Sequence, residues 1–285
     1  MNTNKTLLLI SVAVILLLNS AKSAEFEGLI PKWQTRLTEN FFEYRPLEYS
    51  GCVADSEYQR VFLTNRNGEI ISLSSANGEV QWRFSLKHPI HLRPELKNGT
   101  LFAASTGGEI TALDVSKKYP SLIWKKEIPG GIISDITLSH SEVILLTERN
   151  TLYSISAKDG SVIFQVNNDL PEGFTVYTNT PVIVSGEKII YTLSTGELYI
   201  LNRADGKLIS KVSIYSPDDR IDGFTGLEAD ENSILLSTQS GLFYRIETKS
   251  GKIIWSRTLS QIARIARDRE SANIYVFHSD GTISI

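Results

Sequence analysis

One cysteine, Cys52, stands among 285 residues. No intramolecular disulfide can form, so the fold must be held by burial, which a chain of this length can supply. Cys52 lies just ahead of an apolar stretch and is expected to pack as a small buried hydrophobe. Charge is nearly balanced: 29 Lys and Arg against 32 Asp and Glu give a net charge of −3, so nothing in the balance points to nucleic acid. No run reaches the ~20 apolar residues of a membrane-spanning helix. A convincing amphipathic helix is also missing, and with it any phosphate-binding glycine loop leading into one. The four histidines, His88, His91, His140 and His278, are scattered. His88-x-x-His91 alone is not a metal signature, and no Ser-His-Asp order can be read.

What is present begins at the N-terminus. Lys5 precedes the apolar run Leu7 to Leu18, and Ala21-Lys22-Ser23 places small residues at the −3 and −1 positions of a cleavage site. That is the layout of a secretory signal peptide over residues 1–23, with cleavage before Ala24. No cysteine directly follows the run, so no lipid attachment site is expected there.

The rest of the chain is repetitive. Five times a glycine, once replaced by asparagine, is followed about ten residues later by a second turn residue and usually an aromatic, with a period of roughly 40 residues. Gly68 leads to Gly78 and Trp82, and Gly241 to Gly251 and Trp255; Gly196 to Gly206 and Asn150 to Gly160 keep the interval. Each unit opens with an apolar run: Pro46 to Val53, Ile90 to Leu96, Ile132 to Leu138, Thr178 to Val184, Phe224 to Ala229 and Ile262 to Ala266. A second run follows, as at Val61 to Leu63, Leu101 to Ala104 and Ile189 to Leu193. After a turn come alternating runs such as Leu152-Tyr153-Ser154-Ile155. Asn77-Gly78, Asp159-Gly160, Asp205-Gly206 and Ser250-Gly251 then lead to a fourth strand, as tight hairpins do. Asn98-Gly99 reads as a further hairpin turn. Short strands in repeated groups of four predict an all-β propeller over residues 24–285, with six four-stranded antiparallel blades. The sixth unit stops at its third strand, while Lys32 to Leu37 matches the fourth-strand pattern. The N-terminal strand is therefore expected to complete the last blade and close the ring.

The string Gly-x-Ile/Leu-x-x-Leu-x-x-x-x-Gly-x-x-x-Trp resembles the repeat of pyrroloquinoline-quinone-type propellers. In that family the Trp opening the outer strand docks on the neighbouring blade. The resemblance gives this structural role to Trp33, Trp82, Trp124 and Trp255, with Phe164 as an aromatic substitute and Ser210 as a departure. Within that class the chain is most similar to the propeller lipoproteins of the outer-membrane β-barrel assembly machinery. The likeness includes the Trp-led strand after the signal and the closing phrase His278-Ser279-Asp280-Gly281-Thr282. Members of that family have eight blades and a lipidated cysteine; six units and no such cysteine are read here.

The resemblance implies a non-catalytic, exported scaffold that binds envelope proteins through loops between blades, in outer-membrane protein assembly. Leu170 to Asn179 and Tyr215 to Thr225 are the long connectors, and their candidate contact residues are Phe174, Val176, Tyr177, Ile221, Asp222 and Phe224. Aromatic anchors in an acidic rim suit a protein interface. Asp222 falls where the family's propellers carry an acidic contact. The expected setting is the periplasm, reached as a monomer without a transmembrane segment and held at the outer membrane through a partner. No cofactor, metal or catalytic residue is expected. The alternatives are a quinone- and calcium-dependent sugar or alcohol dehydrogenase, since such enzymes share the repeat, and a propeller that binds a ligand in its funnel. Asp218, Asp219 and Asp222 form the densest carboxylate cluster, but Arg220 divides it and the spacing does not fit a calcium loop.

Overall fold

The computed structural model describes residues 32–35, 51–170, 181–214, 223–268, 271 and 273–285. The chain divides into two compact units, Met1–Phe42 and Glu43–Ile285. Of the first, only residues 32–35 are described; they lie in no strand, and Trp33 is partly exposed. All that follows concerns the second unit.

The first sheet runs β1 (Cys52–Asp55), β2 (Arg60–Thr64), β3 (Glu69–Ser74) and β4 (Val80–Ser85). The second comprises β5 (Glu95–Lys97), β6 (Thr100–Ala104), β7 (Glu109–Asp114) and β8 (Ser121–Glu127). The third holds β9 (Thr137–Ser139), β10 (Glu142–Leu146), β11 (Thr151–Ser156) and β12 (Val162–Asn167). The fourth is β13 (Ile183–Ser185), β14 (Lys188–Leu193), β15 (Glu197–Asn202) and β16 (Leu208–Ser213). The fifth is β17 (Phe224–Ala229), β18 (Ser233–Thr238), β19 (Leu242–Glu247) and β20 (Ile253–Thr258), and the sixth β21 (Ile262–Arg267), β22 (Ile274–His278) and β23 (Ile283–Ser284). Each sheet is an antiparallel meander in chain order, and no helix occurs among the described residues.

The first strands touch in succession, β1 with β5, β5 with β9, β9 with β13, β13 with β17 and β17 with β21. They are the innermost strands of radially arranged blades. Among the described residues β23 pairs only with β22. The pairing expected from Lys32 to Leu37 therefore has no described ladder.

Burial explains the order of the strands. The second and third strands, such as β6, β7, β10 and β11, are buried on nearly every residue, because each blade is covered on both faces by its neighbours. The cluster of Phe102, Ala112 and Trp124 with Val143, Leu145 and Tyr153 spans blades 2 and 3. Burying each such side chain contributes about 1.5–3 kcal/mol. Second strands follow the sequence expectation within a residue or so. The first strands of blades 2 to 4 are shorter than expected. Ile90, Leu92, Ile132, Ile136 and Val182 are buried but stand ahead of the ladders. Pro89, Pro94, Pro129 and Pro181 punctuate these segments and cannot donate to a ladder, so most of the apolar run packs outside the ladders, save a single bridge between Ile132 and Thr147. Cys52 also differs from expectation: it opens β1 and is exposed.

Two repeated devices have no signature in the sequence. The first is a bulge in every pairing of third with fourth strand. The register slips between Ser72 and Leu73, Ala112 and Leu113, Ser154 and Ile155, Ile200 and Leu201, and Arg245 and Ile246. The residue opposite each slip is Trp82, Trp124, Phe164, Ser210 or Trp255. The bulge bends the outer strand and re-aims that side chain.

The second device is a buried polar residue closing the turn after the second strand. Asn65 Oδ1 accepts the amides of Asn67 and Glu69. Ser105 Oγ accepts from the Glu109 amide and Thr238 Oγ1 from that of Leu242. In blade 6 the residue is His278, whose ring lies 2.7 Å from Ser260 Oγ and 2.8 Å from Ser284 Oγ.

The bulge-aimed aromatic residues meet the next blade. Trp124 packs on Gly160, where a Cβ would lie 2.8 Å from Cε3, and its Nε1 donates to the Ala157 carbonyl at 2.9 Å. Phe164 meets Gly206 in the same way, with a notional Cβ 2.6 Å from Cδ2, and Ser210 donates to the Ser250 carbonyl beside Gly251. These three glycines have φ of +74°, +69° and +76°, so both their backbone and the lack of a side chain are used. Trp255 is half-buried, edge-on to Phe243 at 5.4 Å with Arg257 over its ring.

Trp82 is buried against Phe62, yet its Nε1 has no hydrogen-bond partner among the described residues. The hairpin it faces, from Asp114 to Leu122, is two residues longer than that from Ser156 to Val162 and contains no glycine. Here Arg60 takes over. Its guanidinium, 4% exposed, pairs with Asp55 at 2.8 Å and donates to the carbonyls of Lys117, at 3.0 Å, and Val115.

Candidate functional site

In a meander the connection from fourth strand to next first strand lies on the same face as the turn between second and third strands. The described ends of the two long connectors therefore lie on one face, on either side of blade 4. Their described ends are firmly held. Asn150 Nδ2 donates to the Asp169 carbonyl at 2.9 Å, and Asn168 Nδ2 donates to the Asn150 carbonyl at 2.8 Å and meets the Tyr191 hydroxyl at 3.1 Å. Tyr191 stacks on Tyr199 at 5.3 Å, and burial pushes its phenol well above the ordinary range. On the return, Thr137 Oγ1 donates to the Val182 carbonyl at 2.5 Å. The second connector leaves after the Ile214 amide bonds the Gly196 carbonyl, and re-enters where Gln239 donates to the Gly223 carbonyl at 2.8 Å. Leu170, 62% exposed, marks where the first connector leaves the blade.

Of the expected contact residues, Phe174, Val176, Tyr177, Ile221 and Asp222 lie outside the described residues, as do Asp218 and Asp219. Phe224 is described and corrects the expectation. It opens β17, is 4% exposed, and packs in the cluster of Ile190, Leu198, Leu227 and Tyr244. Its ring packs in the core between blades 4 and 5.

The same face carries His88 and His91. His88 lies against Gly107, and burial with the Arg66 charge lowers the pKa of His91. Among the described residues no three His, Cys, Asp or Glu side chains are grouped to hold a metal ion. The acidic residue after the Gly turn is absorbed structurally in three blades: Glu69 pairs with Arg83 at 2.8 Å, Glu109 with Lys125 at 2.5 Å and Glu197 with Lys211 at 2.6 Å. Glu197 also accepts from Tyr199 and Thr195. Burial alone would raise its pKa, but those hydrogen bonds and the Lys211 charge hold the carboxyl below its usual value. These cross-strand pairs could have been found from the Gly-Glu turns and the basic residue about 15 positions later.

Consecutive antiparallel meanders with touching first strands, and aromatic residues docked on the next blade's turn glycine, define a β-propeller built from quinoprotein-type repeats. The chain belongs to the family described as outer membrane protein assembly factor BamB, whose model matches residues 33–118 and 66–284. It is 22% identical over 237 residues to the factor of that name from Nitrosomonas eutropha, covering 81% of this chain and 55% of the relative. With those from Moranella endobia and Escherichia coli K12 it shares 27% over 191 residues and 25% over 192, covering 62% and 63% of this chain and 47% and 45% of the relatives. The chain thus spans about half the length of the curated relatives it matches. Among solved structures it is similar to BamB from Moraxella catarrhalis, with a TM-score of 0.51 and 13% identity over 82% of this chain and 83% of that one. A computationally designed protein, Ika8, gives a TM-score of 0.65 at 10% identity, over 82% of this chain and 69% of that one. Both likenesses concern the fold alone.

Proposed function

We infer that this chain is an exported, non-catalytic β-propeller that binds proteins of the cell envelope and serves as a scaffold in outer-membrane protein assembly. The observation that carries the reading is the match to the assembly-factor family, which reaches from residue 33 to residue 284. The site supports it. The two long connectors are anchored at the described ends by part-buried hydrogen bonds, while Glu69, Glu109, Glu197 and His278 on this face are taken up by structural partners. An anchored loop base presents a binding segment at low entropic cost.

Residues 1–23 act as the signal peptide, and the mature chain works in the periplasm, reaching the outer membrane through its partner. Phe174, Val176, Tyr177, Ile221 and Asp222 supply the contacts. Recovery of partners from envelope extract with the tagged full chain tests this. The wild type should retain a component of the barrel-assembly machinery, and Phe174→Ala with Tyr177→Ala should lose most of it without a change in thermal unfolding. Recovery of no such component by the wild type would overturn the reading.

A further inference from the structure

The hairpin joining β7 and β8 differs from the other hairpins between third and fourth strands. It is longer, lacks their glycine, and is tied from below by Arg60 through the carbonyls of Val115 and Lys117. It presents Lys117, Lys118 and Tyr119 to solvent, and β8 continues with Leu122 and Ile123. Tyr119 is 62% exposed, Leu122 53% and Ile123 45%, with Ile123 the extra residue of the bulge. The neighbouring edge strand β12 adds Val162 and Ile163, also exposed. Between Lys117 and Glu127 there are four lysines, of which Lys125 is paired with Glu109, and one glutamate, in a chain whose net charge is −3. That glutamate is neutralised by Lys87 at 3.1 Å, and the hydrogen bond from Lys87 is the main reason its pKa is lowered. Beneath the hairpin a cleft of about 580 Å³ is lined by Tyr58, Arg60, Glu79, Gln81, Lys117 and Lys118, among others. Arg60 Nε is buried there without a hydrogen-bond partner among the described residues.

We propose that this outer edge of blade 2 docks on the surface of a bilayer containing anionic phospholipid. Tyr119, Leu122 and Ile123 enter the interfacial region, and the lysines neutralise headgroup phosphates while their aliphatic stems lie along the apolar strip. Charge complementarity selects this occupant. Exposed aliphatic residues alone would fit any apolar partner, but flanking lysines around an aromatic and two aliphatic residues match an interface that is apolar below and anionic above. The rigid base matters as well, because Arg60 holds the hairpin in one conformation and little order must be gained on docking. This docking is independent of the connectors on the propeller face and does not rest on the assembly reading.

Co-sedimentation of the full chain with phosphatidylcholine vesicles, with and without about 30% phosphatidylglycerol, tests it. The wild type should partition to the anionic vesicles roughly tenfold more strongly, and about 0.5 M salt should remove the difference. Lys117→Glu with Lys118→Glu should abolish the dependence on phosphatidylglycerol, and Leu122→Ser with Ile123→Ser should reduce it several-fold. The matched control, Lys207→Glu with Lys252→Glu on the hairpins of blades 4 and 5, changes net charge equally and should bind as the wild type does. Attachment through the apolar run at Leu7 to Leu18 would be common to every variant and insensitive to phosphatidylglycerol. Equal binding to both vesicle types overturns the proposal and leaves an acidic protein surface as the fitting partner. Equal losses in the two charge-reversal pairs also overturn it.

Discussion

The seam between blades 2 and 3 and the seam between blades 1 and 2 solve one problem by different chemistry. In the first, Trp124 lies flat on Gly160 and gives its one donor to a carbonyl of the same turn. In the second the glycine is gone, Trp82 keeps an unpaired donor, and a buried Arg60–Asp55 pair reaches across to two carbonyls instead. An aromatic lock requires a short turn of fixed shape. A guanidinium, with five donors in a planar fork, can clamp a longer one. That clamp costs the desolvation of two charges, and it leaves a hairpin free to carry Lys117, Lys118 and Tyr119 outward.

Breaking each lock separates the two. Arg60→Met leaves Asp55 buried without a counter-charge and should cost about 3–5 kcal/mol in urea unfolding, with Asp55→Leu added to it restoring most of the loss. A cost below about 1 kcal/mol would mean that the pair does not hold the seam. Gly160→Ala forces a Cβ into Trp124 at a left-handed φ and should cost about 1–3 kcal/mol, whereas Ser116→Ala on the longer turn should stay within about 0.5 kcal/mol. A smaller effect distinguishes a half-exposed ion pair from the buried one: Lys211→Met should cost only about 0.5 kcal/mol, since Lys211 is 39% exposed. Because the folded Glu197 carboxyl titrates below its usual 4.5, that contribution is present above this value and is lost as pH falls through the folded pKa. A Lys211→Met penalty that persists at pH 2 would contradict the assignment.

The smallest expected effect is local. Asp159, on the turn that receives Trp124, accepts from the Ser161 hydroxyl at 2.7 Å and from its amide, and its pKa is lowered to about 2. Carboxyl chemical shifts should titrate near that value, and Ser161→Ala should raise it toward 3.8. An unchanged midpoint would show that the backbone amide, not the hydroxyl, sets it.

Much of this was legible in the chain because the blade grammar is local. Second and third strands, hairpin turns and the positions of Trp124 and Phe164 all repeat at short range, and Asn98-Gly99 forms its turn with φ of +49° and +72°. The Arg60 clamp was not legible, because its carbonyl partners lie 55 and 57 positions away and a carbonyl carries no residue signature. The longer turn ahead of Leu122 was visible but gave no sign of what replaced the glycine. Phe224 misled because an aromatic next to an acidic connector resembles an interface anchor, while its place as the first residue of β17 turns it into the core. The bulges escaped because a slip of one residue leaves the apolar pattern of Leu122-Ile123-Trp124 unchanged on paper.

The polar residues that close the second turns of blades 1, 2 and 5 have a consequence for engineering. Asn65, Ser105 and Thr238 satisfy amides of their own turns with their own side chains, while backbone groups of the same turns hold the ends of the adjacent connectors, as Gln239 does at Gly223. A connector can then be lengthened or exchanged, or opened for circular permutation, between its anchored ends, Asn168 and Val182 in one case and Ile214 and Gly223 in the other. The propeller face behaves as a socket board on which epitopes can be traded one blade at a time.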